Sequence, residues 1–383
     1  MKFSEVIGQQ EAKVGLLNMV RSGKMPHALM LLGPEGNGNL SLALALAQFL
    51  QCENRQEDDS CGGCNSCLKQ SKFLHPDLYF TYPVIKPEKQ TSPPVSTDFI
   101  NEWRSALLQT GYLTYNDWMQ HIGAENKQGN ITARECRQII HQLSLKTFES
   151  SYKVQLIWLP EYLGAEGNML LKILEEPPPN TVFILIAEST ESVLTTILSR
   201  VQIVKVPPIQ EPDLAAHLLR NFEMDEPVAA RISRIADGNM NAALVIAEGQ
   251  QSANDKVLRQ WLLQCFALKQ KPNSDGFREL TLWVDDFAKA GRENQKIFFR
   301  YALFFIQECL RISALGKSDK LEGEELSFAQ KFTSRLAIED LEKLQKIISQ
   351  MHYYVERNAN PKILLMSSSF QIAGVLKQEN VEV

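Results

Sequence analysis

The feature that most restricts how this chain can fold is a junction close to its start. The apolar run His27-Ala28-Leu29-Met30-Leu31-Leu32 ends at Gly33-Pro34-Glu35-Gly36-Asn37-Gly38, and an alanine- and leucine-rich stretch, Ser41–Leu50, follows. A short apolar run closed by a glycine turn predicts a buried strand, and the stretch beyond it predicts a helix. Further strands are predicted at Leu78–Tyr82, Val154–Leu159, Val182–Ala187 and Val201–Val206. They are apolar or β-branched with little alternation, as expected of parallel strands covered on both faces. Helical patterns at Ala133–Leu145 and Glu166–Glu176 lie between them. Strand alternating with helix predicts an α/β domain, a parallel sheet flanked by helices.

Pro177-Pro178-Pro179 stops one helix, since proline offers no N–H and blocks the preceding turn. Pro207-Pro208 closes the last strand, and no strand pattern follows Glu211. Short helices are predicted at Asp213–Phe222, Pro227–Ala236 and Asn241–Glu248. Longer ones are predicted at Asp255–Leu268, Phe277–Ala290, Glu293–Ala314 and Ile338–Asn358, with a short one at Phe328–Phe332. The expected organisation is an α/β domain over 1–207, a small helical domain over 208–250 and an all-helical domain over 251–383. A cysteine module at 52–67 and an insertion at 85–130 interrupt the first. The insertion carries Trp103, Tyr112, Tyr115 and Trp118, too many aromatics for a solvated linker, so an ordered surface insertion is expected.

The 383 residues carry a net charge of −5, so the chain as a whole is not built to grip nucleic acid. No apolar run approaches the ~18–20 residues needed to cross a bilayer. Met1–Gln10 is charged and mixed, unlike a secretory signal, and a cytoplasmic location without membrane contact is expected. The 7 cysteines, an odd number, argue against a disulfide framework. Cys136, Cys265 and Cys309 lie singly in helical patterns and are expected to pack as small hydrophobes.

The other four form Cys52-x8-Cys61-x2-Cys64-x2-Cys67. Two-residue gaps let neighbouring thiolates bend around one ion, and four sulfurs leave no open position, so a structural zinc site is expected. Gly62-Gly63 supplies the backbone freedom of the turn. A redox Cys-x-x-Cys pair and an iron–sulfur cluster are the alternatives. Glu53, Glu57, Asp58 and Asp59 surround the cysteines, which argues against a zinc ribbon that holds nucleic acid.

The turn Gly33–Ser41 has the outline of G-x-x-x-x-G-K-[ST] between a strand and a helix, the context of a phosphate loop. Gly33, Gly36 and Gly38 supply the glycines, but Asn39 stands at the lysine position and Leu40 at the hydroxyl position, with Ser41 one place late. The lysine's charge on the phosphates and the hydroxyl's bond to magnesium are both missing. Weak or no nucleotide binding is expected, the turn being kept for the fold. The strand Val154–Leu159 runs into Pro160-Glu161 without an Asp-Glu pair, a second departure from an ATPase.

Several segments carry a resemblance. They are Lys153-Val154, Asn168-Met169-Leu170-Leu171-Lys172-Ile173-Leu174-Glu175-Glu176-Pro177-Pro178, Phe183–Ala187 and Leu194-Thr195-Thr196-Ile197-Leu198-Ser199-Arg200. Together they resemble the clamp-loader branch of the AAA+ proteins, and the cysteines after the phosphate-loop helix resemble bacterial clamp loaders in particular. Ile7-Gly8-Gln9 and His75-Pro76-Asp77 fit the same pattern, and Asn358-Ala359-Asn360-Pro361-Lys362 resembles a late helix of the family's collar domain. The resemblance covers most of Met1–Gly249. It implies an AAA+ P-loop domain, a helical lid domain and an all-α collar domain that holds a ring of subunits.

It also implies partners: motor subunits (gamma and tau), a delta subunit, and the sliding clamp and primer-template DNA through the assembled complex. The family's Ser-Arg-Cys motif appears as Ser199-Arg200-Val201, and the family's arginine reaches the γ-phosphate on a neighbouring motor subunit. Asn241 stands where the family's second sensor arginine would contact the chain's own nucleotide. The resemblance therefore implies a non-hydrolysing, non-catalytic subunit of the polymerase holoenzyme that supplies Arg200 in trans. The alternative is an active motor subunit.

Overall fold

The computed structural model describes residues 1–87, 91–124, 127–247, 254–270, 274–318, 320–356 and 359–376. They divide into two compact units, Met1–Asn221 with Asp237–Asn241, and Phe222–Ala236 with Ala242–Val383.

The first unit is built on five parallel strands: β1 (Ala28–Leu32), β2 (Leu78–Thr81), β3 (Lys153–Trp158), β4 (Thr181–Ala187) and β5 (Gln202–Lys205). Their order across the sheet is β2-β3-β4-β1-β5. Its helices are α1 (Gln10–Arg21), α2 (Asn39–Gln51), α3 (Asn65–Gln70), α4 (Ile100–Gln109), α5 (Tyr115–His121), α6 (Ala133–Ser144), α7 (Leu171–Glu175), α8 (Thr195–Leu198) and α9 (Glu211–Asn221).

Alternate side chains of each strand leave the sheet on opposite faces. Leu29, Leu31, Val154, Leu156, Ile184 and Ile186 join one core cluster with Leu16 of α1 and Leu42 and Leu46 of α2. Met30, Ile157, Phe183 and Leu185 join a second with Ile139 and Leu143 of α6 and Leu174 of α7. Burying each such side chain contributes ~1.5–3 kcal/mol. Every residue of α2 is buried, which is why its sequence is apolar all round rather than striped.

Three expectations change. The edge strand β5 is exposed rather than covered, with Ile203 40% accessible, whereas the other edge strand, β2, is largely buried. The helix expected at Glu166–Glu176 is 3₁₀ up to Leu170 and α-helical only from Leu171; the 3₁₀ segment Pro160–Leu170 is itself kinked at Gly164, with φ 51°. The 85–130 segment is not a surface feature. Trp103 and Trp118 are 1% and 0% accessible and belong to the main core. Tyr82 stacks on Trp103 at 4.0 Å, and Trp103 meets Trp158 at 5.1 Å. An isolated Val84–Asn130 bridge closes the segment's base.

The second unit contains α10 (Glu226–Ala236), most of α11 (Met240–Val245), α12 (Asn254–Gln270), α13 (Ser274–Phe287), α14 (Arg292–Leu315), α15 (Gly323–Thr333), α16 (Ile338–Glu356) and α17 (Pro361–Val375). Among its described residues there is no strand. Trp261 is fully buried, stacks on Trp283 at 5.8 Å and donates its Nε1–H to Ser369 Oγ at 2.8 Å. In the segment Asn358–Lys362, Asn358 lies outside the described residues. Asn360 caps α17 by accepting from the N–H groups of Lys362 and Ile363, and Pro361 takes the first helical position. The parallel sheet flanked by helices, with an all-helical C-terminal region, is an AAA+ P-loop architecture.

Candidate functional site

The glycine turn lies between β1 and α2, where a phosphate loop would present free amides to an anion. Here the turn is filled from inside. Asn37 is fully buried; its Oδ1 accepts from the N–H of Asn39 at 3.1 Å and its Nδ2 donates to Val206 O at 2.5 Å. Asn39 bends back on its own helix. Its Oδ1 accepts from the N–H of Leu40 at 2.8 Å, and its Nδ2 donates to Gly33 O at 3.1 Å and Ala187 O at 3.4 Å. Two amides at the start of α2 are thus taken by asparagine oxygens. Gln9 Nε2 donates to Asn37 O at 2.9 Å and Pro207 O at 2.6 Å, and Asn239 Nδ2 donates to Glu35 O at 2.9 Å.

The 85–130 segment covers the same turn. Ser41 Oγ donates to Gly111 O at 2.7 Å. The Tyr112 ring lies over Gly38, which has φ 92°; a Cβ there would come within 3.0 Å of the ring. The Tyr112 hydroxyl accepts from the N–H of Ile7 at 2.9 Å, and burial pushes this phenol up to about 12. Asn241, expected at the sensor position, donates its Nδ2–H to Tyr112 O. Glu161, the carboxylate nearest the end of β3, is turned to the backbone. It accepts from Glu188 N–H at 2.7 Å and Ser189 N–H at 3.0 Å, and burial raises its pKa.

The four cysteines come together after α2. Cys52 ends that helix and Cys64 caps α3. Their sulfurs all lie within 4.8 Å of one another, with Cys61 Sγ and Cys67 Sγ 3.9 Å apart. A tetrahedral ion with bonds of ~2.3 Å needs sulfurs about 3.8 Å apart, so small movements complete the shell. Backbone amides point at the sulfurs: Cys61 N–H to Cys52 Sγ at 3.3 Å, Cys64 N–H to Cys61 Sγ at 3.3 Å and Cys67 N–H to Cys64 Sγ at 3.4 Å. The N–H groups of Gly63 and Cys64 bring the Cys61 thiol down to about 6, whereas burial raises Cys52 and Cys67. The four sulfurs can hold one metal ion. The Asp59 carboxylate ties the module to the N-terminus by accepting from Phe3 and Ser4 N–H, both at 3.0 Å.

Arg200 lies elsewhere. It follows α8, whose Ile197 is buried and anchors the turn. Arg200 Nε donates to Glu175 Oε1 at 2.6 Å, and its NH1 donates to Thr196 O at 2.8 Å and Ser199 Oγ at 3.2 Å. The side chains of Arg200 and Glu175 are 29% and 49% accessible. β1 and β5 are parallel neighbours with Leu29 opposite Gln202 and Leu32 opposite Lys205. Gly33 leaves the C-terminal end of β1, and Arg200 precedes the N-terminal end of β5. At ~3.3 Å per residue, the four residues from Gly33 back to the start of β5 alone put at least about 13 Å of sheet between the two levels. The structure therefore does not bring Arg200 to the chain's own glycine turn.

Asn37, Tyr112 and Glu175 were not singled out from sequence. Asn37 fills a position where the phosphate-loop pattern accepts any residue. Tyr112 sits about seventy positions from the turn it covers, and only the aromatic density of its segment hinted at burial.

The sheet order, the strand–turn–helix junction and the flanking helices define a P-loop protein of the AAA+ class. Residues 8–210 match the family described as "DNA polymerase III, delta subunit", and the chain belongs to that family. It is 32% identical over 188 residues to DNA polymerase III subunit delta' of Yersinia pestis, covering 48% of this chain and 43% of that one. It is 26% identical over 237 residues to subunit delta' of Escherichia coli strain K12, covering 61% of this chain and 58% of that one. It is also 23% identical over 273 residues to subunit tau/gamma of Haemophilus influenzae, covering 68% of this chain and 33% of that one. The chain thus spans about half the length of the two delta' relatives. Among the described residues no helix is long and apolar enough to cross a membrane.

Proposed function

We propose that this chain is a delta-prime-type subunit of a DNA polymerase III clamp loader. In that role it does not hydrolyse ATP itself and offers Arg200 to the nucleotide of a neighbouring motor subunit. The observation that carries the proposal is the contrast between a glycine turn closed by Asn37, Asn39 and Tyr112 and an arginine left accessible at the opposite end of the adjacent strand. A surface guanidinium that does not reach its own chain's turn is placed to serve another chain's phosphates, where an arginine in trans stabilises transition-state charge. Ser199 supports the guanidinium through its hydroxyl. The partners are the motor subunits, named gamma and tau among relatives, and a delta subunit. The sliding clamp and primed DNA engage through the complex, in the cytoplasm. Tau/gamma relatives also match this chain, which keeps an active motor subunit as the second reading. Asn39 and the filled turn weigh against it.

The test is reconstitution with gamma, delta and clamp. Arg200→Ala is expected to lower hydrolysis at the adjoining motor site on the order of 10³-fold, seen as loss of that site's share of the DNA-stimulated rate. An unchanged rate rejects the trans role, and micromolar ATP binding by the isolated chain favours the motor reading.

In this proposal the cysteine module holds zinc. Four thiolates on hydrogen-bonded turns suit a closed structural site, whose metal contributes folding energy and no chemistry. One zinc per chain is expected by elemental analysis, with Cys64→Ser losing it and lowering Tm. Iron in place of zinc would reject the assignment.

A further inference from the structure

Arg200 is not a free side chain waiting for a ligand. One oxygen of Glu175 takes its Nε–H at 2.6 Å and also contacts NH2, while NH1 is turned to Thr196 O and Ser199 Oγ. Glu175 closes α7 just before the prolines, and Arg200 closes the turn after α8, so each side chain leaves a fixed helix end. Gly167 packs under the pair's supports, where a Cβ would meet Ile197 Cδ1 at 3.0 Å and Leu194 Cδ1 at 3.1 Å. Ile173 and Leu174 of α7 share a buried cluster with Ile197 of α8, so the two helix ends are held by apolar packing rather than by the ion pair.

We infer that Glu175 is a positioning residue for Arg200, an inference that rests on the trans role proposed above. A guanidinium is planar, and a carboxylate on its Nε/NH2 edge fixes the plane while leaving the outer NH2 proton free to donate. The remaining flexibility of an arginine side chain is removed before a phosphate arrives, which is the source of the gain from preorganisation. The pair is exposed, and exposed ion pairs add only ~0–1 kcal/mol, so Glu175 does not matter through stability. It keeps its carboxylate on the Nε/NH2 edge when the remaining NH2 proton meets the neighbour's phosphate.

The experiment uses the reconstituted clamp loader with Glu175→Gln, Arg200→Ala and the double variant, and measures DNA-stimulated ATP hydrolysis against ATP concentration. Glu175→Gln is expected to lower the adjoining site's kcat about tenfold with KM for ATP and Tm unchanged. In the Arg200→Ala background the same change is expected to add nothing. An unaltered or raised kcat overturns the positioning role, and so does an equal loss in both backgrounds, because Glu175 would then act without Arg200. If Arg200→Ala itself has no effect, the trans role fails first, and that outcome is distinct from a failure of Glu175 alone.

Discussion

The glycine turn after β1 and the arginine turn before β5 lie at opposite ends of two neighbouring strands and are opposites in chemistry. The first directs its polar groups inward: Asn37 is fully accounted for by Val206 O and Asn39 N–H, and Asn39 by Gly33 O, Ala187 O and Leu40 N–H. The second directs its polar groups outward, with an arginine held only by partners at the surface. A neutral, short side chain at position 39 can be satisfied by the backbone around it, so the turn holds itself together without a ligand. The guanidinium at position 200 stays at the surface, 29% accessible, on partners that are themselves exposed. On the proposed trans role, the two regions divide the work, one site serving the fold and the other a partner.

Stability measurements sharpen this contrast, and the largest effect belongs to the inner region. Asn37→Ala leaves Val206 O and the Asn39 N–H without their side-chain partner in a buried place, which costs about 2–4 kcal/mol. A clear fall in Tm is expected. Arg200→Ala is expected to leave Tm nearly unchanged, within ~0.5 kcal/mol, since it removes only exposed contacts. Equal losses from the two substitutions would mean that the arginine turn also serves the fold, and the contrast would be lost.

Much of the frame was legible in the sequence because periodicity reports burial directly. The five strands sit where apolar runs predicted them, and the glycine turn sits between strand and helix. The cysteines were legible because metal-ligand spacing is a local property, and all four sulfurs do converge. The cover over the glycine turn was not legible. Tyr112 reaches Gly38 only through the fold, and nothing local distinguishes an aromatic that caps a distant loop from one that packs on its own helix. The Glu175–Arg200 pair was hidden for the same reason, since its two residues lie on different helix ends. Position 39 was legible as a lost charge but not as a gained set of hydrogen bonds.

That last difference can be tested by returning the charge. If the missing lysine alone kept nucleotide out, Asn39→Lys would restore binding. The structure argues otherwise. Lysine at 39 frees the Leu40 N–H, but Asn37 Oδ1 still takes the Asn39-position amide and Tyr112 still covers Gly38. The new ammonium would also sit at a position that is 7% accessible, near Gly33 O and Ala187 O, with no phosphate to pair it. The expected outcome is a loss of about 1–2 kcal/mol in stability, the smaller of the two costs to the turn, and no ATP binding by calorimetry at about 1 mM. Adding Tyr112→Ala removes the cover, and any binding that returns should appear in the double variant. Binding by Asn39→Lys alone, with a Kd below about 0.1 mM, would show that the charge was the barrier and the filled turn merely its accompaniment.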